Sequence, residues 1–190
     1  MATVTALDPL VEELMAFDGK AEIVNGRVQE IMATGDYPSY ASLQVVISLV
    51  LHVQRAGFGR AVQDGAGFLC DLPHRKSFSP DAAFYTGPSG EMGFFPELPV
   101  FAVEVRHMNE YSPSDERAIF AKIADYFAAG TLVVWDVDLQ SDEVVAKYSA
   151  PNAAVPQIFR RGEIADAQPA VPGWTMPIDD LFAPVRAEQD

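Results

Sequence analysis

The chain has 190 residues, 49% of them hydrophobic, with 27 acidic against 13 basic side chains and a formal charge of −14. That composition excludes a mainly disordered chain, and the acidic balance excludes a passive coat on nucleic acid, which needs concentrated Lys and Arg. The single cysteine, Cys70, excludes an intrachain disulfide and a zinc site built from several thiolates.

Length favours one domain. Met1 to Glu13 carries Asp8, Glu12 and Glu13 and no Lys or Arg, so it does not read as a secretory signal. The greasiest stretch, Leu43 to Val53, is interrupted by Gln44, Ser48 and His52. It falls short of the roughly 20 apolar residues of a membrane span. The expectation is a cytoplasmic protein without a membrane partner.

In chain order, Asp8 to Phe17 predicts a short helix from Leu10, Val11, Leu14 and Met15 at helical spacing. Ala21 to Met32 predicts a hairpin turning on Asn25-Gly26, both of which tolerate positive φ. Ser39 to Arg55 predicts a helix ending before Gly57, apolar around most of its axis and so largely buried or in a subunit contact. Gly59 to Leu72 and Asp81 to Tyr85 read as strands, with a polar loop from Pro73 to Pro80 between them. Thr86 to Pro96 reads as a mobile glycine-rich loop.

Val100 to Val105 and Leu132 to Val137 are short runs apolar on both faces, as in strands covered on both sides. Between them lies a helix capped by Ser112, with Pro113 at its first position, Asp115 three residues after the cap and Gly130 at its end. This predicts a parallel strand pair with a right-handed crossover. Glu143 to Tyr148 and Gln157 to Arg160 read as edge strands, Ala165 to Pro177 as irregular chain and Asp179 to Phe182 as a last helical turn. The fold class is α/β with a mixed sheet.

Three residues break this pattern. Glu104 sits in an otherwise apolar strand, and a buried carboxylate without a partner costs several kcal/mol. It therefore has a proton, a metal or a cation, with neighbouring Arg106 one candidate. Asp81 opens a strand after Pro80, where an acidic residue can also be a turn former. Lys122 flanks the apolar stripe of Ile119, Ile123 and Phe127, near Tyr126. It can snorkel to solvent or point towards Glu104. Two carboxylates on adjacent strand ends with a lysine beside them make a site for a hard cation such as Mg²⁺ or Mn²⁺.

The segments Phe78-Ser-Pro-Asp81, Val103-Glu104-Val-Arg106, Lys122-Ile-Ala-Asp-Tyr126-Phe-Ala-Ala-Gly130 and Val134-Trp-Asp-Val137 occur in this order. Together with the opening Glu22 to Arg27 hairpin and the closing Pro172-Gly-Trp174 segment, they resemble the compact bacterial putative restriction endonuclease family of the PD-(D/E)xK nuclease superfamily. The resemblance implies a restriction-endonuclease-like core, a mixed sheet flanked by helices, over about residues 22–150, with a C-terminal extension over 151–190. It implies Mg²⁺ or Mn²⁺ held by Asp81, Glu104 and the backbone carbonyl of Val105. Arg106 stands at the family's lysine position, and Lys122 matches the place to which the lysine role migrates on the following helix. Glu22 matches an acidic position that assists the metal.

Other chemistry finds less support. His52, His74 and His107 lack zinc-hydrolase spacing. His74, Asp81 and His107 could in principle form a 2-His-1-carboxylate site, although His107 is expected to be exposed. There is no nucleophile elbow and no P-loop. Arg55, Arg60, Arg75, Lys76, Arg106, Arg117 and Lys122 are candidates to gather near the cleft.

The expected function is a metal-dependent phosphodiesterase acting on DNA, with Asp81, Glu104, Lys122 and Arg106 as its working residues. A homodimer through the Ser39 to Arg55 helix is expected. The alternative is a catalytically silent dimeric scaffold on the same fold, which the negative charge favours.

Overall fold

The computed structural model describes residues 8–108, 110–150 and 154–183. Asp8 caps the first helix, α1 (Pro9–Ala16), by accepting the Leu10 amide at 2.9 Å. The hairpin β1 (Ala21–Val24) and β2 (Arg27–Glu30) turns on Asn25 and Gly26, with φ of 51° and 70°. α2 (Asp36–Ala56) begins three residues earlier than expected, because Pro38 is tolerated in a first turn, and stops at left-handed Gly57.

The expected strand from Gly59 to Leu72 is two strands, β3 (Arg60–Gln63) and β4 (Phe68–Leu69). Asp64 breaks it by accepting the Gly65 amide at 2.7 Å, where Gly65 takes φ 82°. The polar loop contains β5 (Ser77–Phe78), which pairs antiparallel with β4, and β6 (Ala82–Tyr85) follows. The loop after β6 is anchored at its far end, where Phe95 stacks on Phe68 with centroids 4.5 Å apart.

β7 (Phe101–Val105), α3 (Pro113–Ala128) and β8 (Val133–Val137) form the expected parallel pair with its crossover helix. α3 starts in a reciprocal capping box between Ser112 and Asp115. β9 (Val145–Ser149) and β10 (Gln157–Phe159) complete a six-stranded mixed sheet in the order β10-β9-β8-β7-β6-β3. Of these two, β10 is an edge strand and β9 lies inside, bonded to β8 and β10, so the expectation that both are edge strands is corrected.

The segment expected to be irregular forms β11 (Ile164–Asp166) and β12 (Thr175–Pro177), an antiparallel pair, followed by a 3₁₀ turn at Ile178–Leu181. Its prolines sit between or at the ends of the strands, where a missing N–H costs no ladder bond. Trp174 packs 5.1 Å from the Trp135 ring and donates its indole N–H to Ser48 Oγ at 3.0 Å. Residues 165–182 therefore belong to the main core.

Alternation along the strands sets two apolar layers. Phe101, Val103 and Trp135 pack with Ala41, Val45 and Leu49 of α2. Ala102 and Val134 pack with Ile123 and Tyr126 of α3. Glu104, two residues beyond Ala102, faces the α3 side. α2 buries one face and exposes Leu43, Ile47, Val50 and Leu51 on the other. Among the described residues no helix is long and apolar enough to cross a membrane.

Candidate active site

Four neighbouring strands bring four acidic residues to one height. Gln63 pairs with Ala82, so Asp64 and Asp81 stand side by side just beyond. Ala82 pairs with Val103, so Asp81 and Glu104 are also abreast, and Glu104 is in register with Asp136. Like charges side by side across strands repel, and cations and hydrogen-bond donors threaded through the row offset that repulsion.

Lys122 and Tyr126, one turn apart on α3, both reach Glu104. The Lys122 ammonium donates to Oε2 at 2.9 Å and the Tyr126 hydroxyl to Oε1 at 2.5 Å. Lys122 thus turns inward rather than to solvent. Asp81 accepts the Val105 amide on Oδ2 at 2.8 Å and the Lys20 ammonium on Oδ1 at 2.8 Å. Asp81, Glu104, Val105, Arg106 and Lys122, all singled out in the sequence, line one cleft of about 440 Å³.

Arg106 does not pair with Glu104. It grips Asp136 as a fork, Nε to Oδ1 at 2.8 Å and Nη2 to Oδ2 at 2.7 Å, and also bonds Glu116 of α3. It lies past the end of β7, so its side chain reaches sideways to β8 and to the first turn of the helix. The expected pairing of Arg106 with Glu104 is corrected. His107, expected to be exposed, is half-buried and lines the cleft. His74 bonds Asp125 at 2.8 Å, so the two-histidine arrangement with Asp81 does not form. Of the other arginines and lysines expected to gather, Arg75 lines the cleft, while Arg55, Arg60, Lys76 and Arg117 do not.

Behind the cleft, buried Glu22 on β1 accepts Lys122 at 3.1 Å and the Ser79 amide at 2.9 Å on one oxygen. Its other oxygen accepts Arg75 at 2.5 Å. Arg75 continues to Asp125 at 3.0 Å and lies over the Phe78 ring. Lys20 and the Glu22–Arg75 pair escape a reading of the sequence, since their partners lie some 50 to 60 residues away. The one signal for Lys20 is its isolation: no other Lys or Arg precedes Arg27.

A family model described as Uma2, putative restriction endonuclease, matches residues 11–179. The chain belongs to this Uma2 family. The crystal structure of a putative nuclease from Anabaena variabilis ATCC 29413 is similar in fold, with a TM-score of 0.71 at 16% identity, covering 91% of this chain and 97% of that one. No curated protein matches the chain. The restriction-endonuclease-like fold is thus a Uma2 fold, with the mixed sheet and flanking helices described above.

The charges at the Uma2 cleft are unevenly satisfied. Burial pushes the Glu104 carboxyl up to about 7; Lys122 opposes the shift, while Asp81 and Glu22 add to it. Burial works against the Lys122 ammonium, but Glu104 and Glu22 outweigh it and hold its pKa above the usual lysine range. Glu22 is also penalised by burial, yet Lys122, Arg75 and the Ser79 amide hold it below the usual carboxylate range.

The divalent ion that the family implies fits this donor set in kind. Asp81 and Glu104 offer hard carboxylate oxygens, each with a lone pair left after its hydrogen bond. Their mutual repulsion, felt in Glu104, is the field a cation relieves. Among the described residues no three His, Cys, Asp or Glu side chains gather into a metal cluster. Any ion would therefore rest on two carboxylates, completed by backbone oxygen and water.

Proposed function

We propose that the protein is a metal-dependent phosphodiesterase, a DNA endonuclease of the cytoplasm that uses Mg²⁺ or Mn²⁺. The observation that carries this reading is the placement of Asp81 and Glu104 abreast at the floor of the cleft with the Lys122 ammonium on Glu104. Membership of the Uma2 family and the fold shared with the Anabaena putative nuclease support it.

In this reading Asp81, Glu104 and the Val105 carbonyl hold the ion. When bound, such an ion lowers the pKa of its water and neutralises charge on a phosphoryl oxygen. Lys122 stays protonated beside Glu104 and Glu22, so it is not the base. It donates an N–H and a positive charge where negative charge develops on the phosphate. Tyr126 fixes one oxygen of Glu104, leaving the group's orientation set before substrate arrives. Arg106 cannot serve as a base; it clamps the first turn of α3 to β8.

Two-strand cleavage is served by two sites, and the exposed Leu43–Ile47–Val50–Leu51 stripe of α2 suits a second copy. α2 has charged residues only near its ends, Asp36 and Arg55, so an antiparallel pairing sets opposite charges together. Sedimentation of the wild type and of Ile47→Glu tests this; a monomeric wild type contradicts it.

The test of the activity is nicking of supercoiled plasmid. Wild type should nick with Mg²⁺ or Mn²⁺, EDTA should abolish nicking, and Asp81→Ala should be inactive. Equal nicking by wild type and Asp81→Ala would overturn the reading. One observation favours the silent scaffold instead: both cleft carboxylates already carry a lysine. No heat on titrating Mg²⁺ or Mn²⁺ into the protein would decide for it.

A further inference from the structure

Lys20 stands immediately before β1, and its ammonium sits between two acidic residues from adjacent strands. It lies 2.8 Å from Asp81 Oδ1 and 2.6 Å from Asp64 Oδ1. The Lys20 side chain is 14% exposed and that of Asp81 4%, while Asp64, at 35%, stands at the rim. Asp64 is also held from its far side by the Thr34 hydroxyl at 3.3 Å. One lysine thus bridges a carboxylate inside the proposed site and one outside it.

We propose that Lys20 is a tethered cation that competes with a divalent metal ion for Asp81, with Asp64 as the seat it keeps when displaced. The inference rests on the metal-dependent reading above. An ammonium and a divalent cation seek the same oxygens, and both at Asp81 repel each other. A lysine whose only partner was Asp81 would lose its ion pair entirely on displacement. Lys20 does not, because Asp64 already accepts from it. Its long flexible stem allows the shift without movement of β1. The ammonium therefore neutralises the Asp64–Asp81 pair in the folded chain at the cost of weaker metal binding. Lys122 differs: its second partner, Glu22, is buried behind the cleft and carries Arg75 as well.

Calorimetric titration of Mn²⁺ into the EDTA-stripped and dialysed full chain tests this. Lys20→Met should bind Mn²⁺ about tenfold more tightly than wild type, an ordinary coupling between two competing sites. Its melting temperature should fall without Mn²⁺ and recover most of that loss at saturating Mn²⁺. Asp64→Asn removes the second seat, so it should weaken Mn²⁺ binding in the wild-type background and leave it unchanged in the Lys20→Met background. Lys20→Gln, with its polar end retained, repeats the measurement if Lys20→Met does not fold. Mn²⁺ binding by wild type with equal or weaker affinity in the Lys20 variants overturns the competition and leaves the metal reading standing. So does an Asp64→Asn effect of equal size in both backgrounds. Binding by neither wild type nor Lys20 variants overturns both.

Discussion

Glu104 and Asp136 are neighbours at one register position of the parallel β7–β8 pair, and each meets a cation, yet the two surroundings differ. Asp136 is 3% exposed and closed by the guanidinium fork of Arg106, which also grips Glu116. Glu104 has a side chain 21% exposed at the cleft, a lysine on one oxygen and a tyrosine on the other. A planar fork fills both oxygens of a carboxylate in a fixed geometry, whereas an ammonium is a point charge that leaves lone pairs free. The same acidic chemistry becomes a structural clamp on one strand and, in the proposed reading, an exchangeable ligand on the next.

The largest expected effect comes from erasing that difference. Lys122→Arg should keep stability within about 1 kcal/mol of wild type. It should still lower plasmid nicking about 10²–10³-fold, the usual loss when a positioned donor to developing charge is misplaced. Thermal melts and nicking rates on the same preparations check both halves. Breaking the clamp should act on stability. Asp136→Asn leaves half-buried Arg106 short of its main partner and should cost about 3 kcal/mol, roughly 10 °C for a chain of this size.

A smaller effect is one of pH. The folded-state pKa of Glu104, about 7, lies above its ordinary value of 4.5. Between these two values the folded chain therefore holds a proton that the unfolded chain has released. The stability from this group is complete below 4.5 and is lost as pH rises through 7. Glu104→Gln should flatten that part of the stability profile relative to wild type, measured as melting temperature against pH in EDTA. An unchanged slope would mean that Glu104 is ionised throughout, as a closed ion pair is.

Much of the site was legible in the sequence because charge in apolar strands stands out. Asp81 and Glu104 interrupt apolar runs, and Lys122 flanks a helical stripe aimed at the same sheet. What stayed hidden lay in side-chain reach and distant pairing. Arg106 follows Glu104 by two residues, so pairing between them looked natural, but its fork closes on β8 and α3. Lys20 meets Asp81 across 61 positions and a turn of the chain, which no local pattern encodes. In the fold, Asp64-Gly65 split an expected strand because a side-chain acceptor and a left-handed glycine stop a ladder. The β11–β12 pair was obscured by prolines that lie outside its bonded positions.

The most direct test of the division between clamp and ligand is nicking of supercoiled DNA in Mg²⁺ by wild type, Glu104→Gln and Asp136→Asn at equal folded fraction, below the melting point of each. Loss of nicking in Glu104→Gln, with Asp136→Asn close to wild type, is the predicted result. Undiminished nicking by Glu104→Gln, or equal loss in both variants, would contradict it.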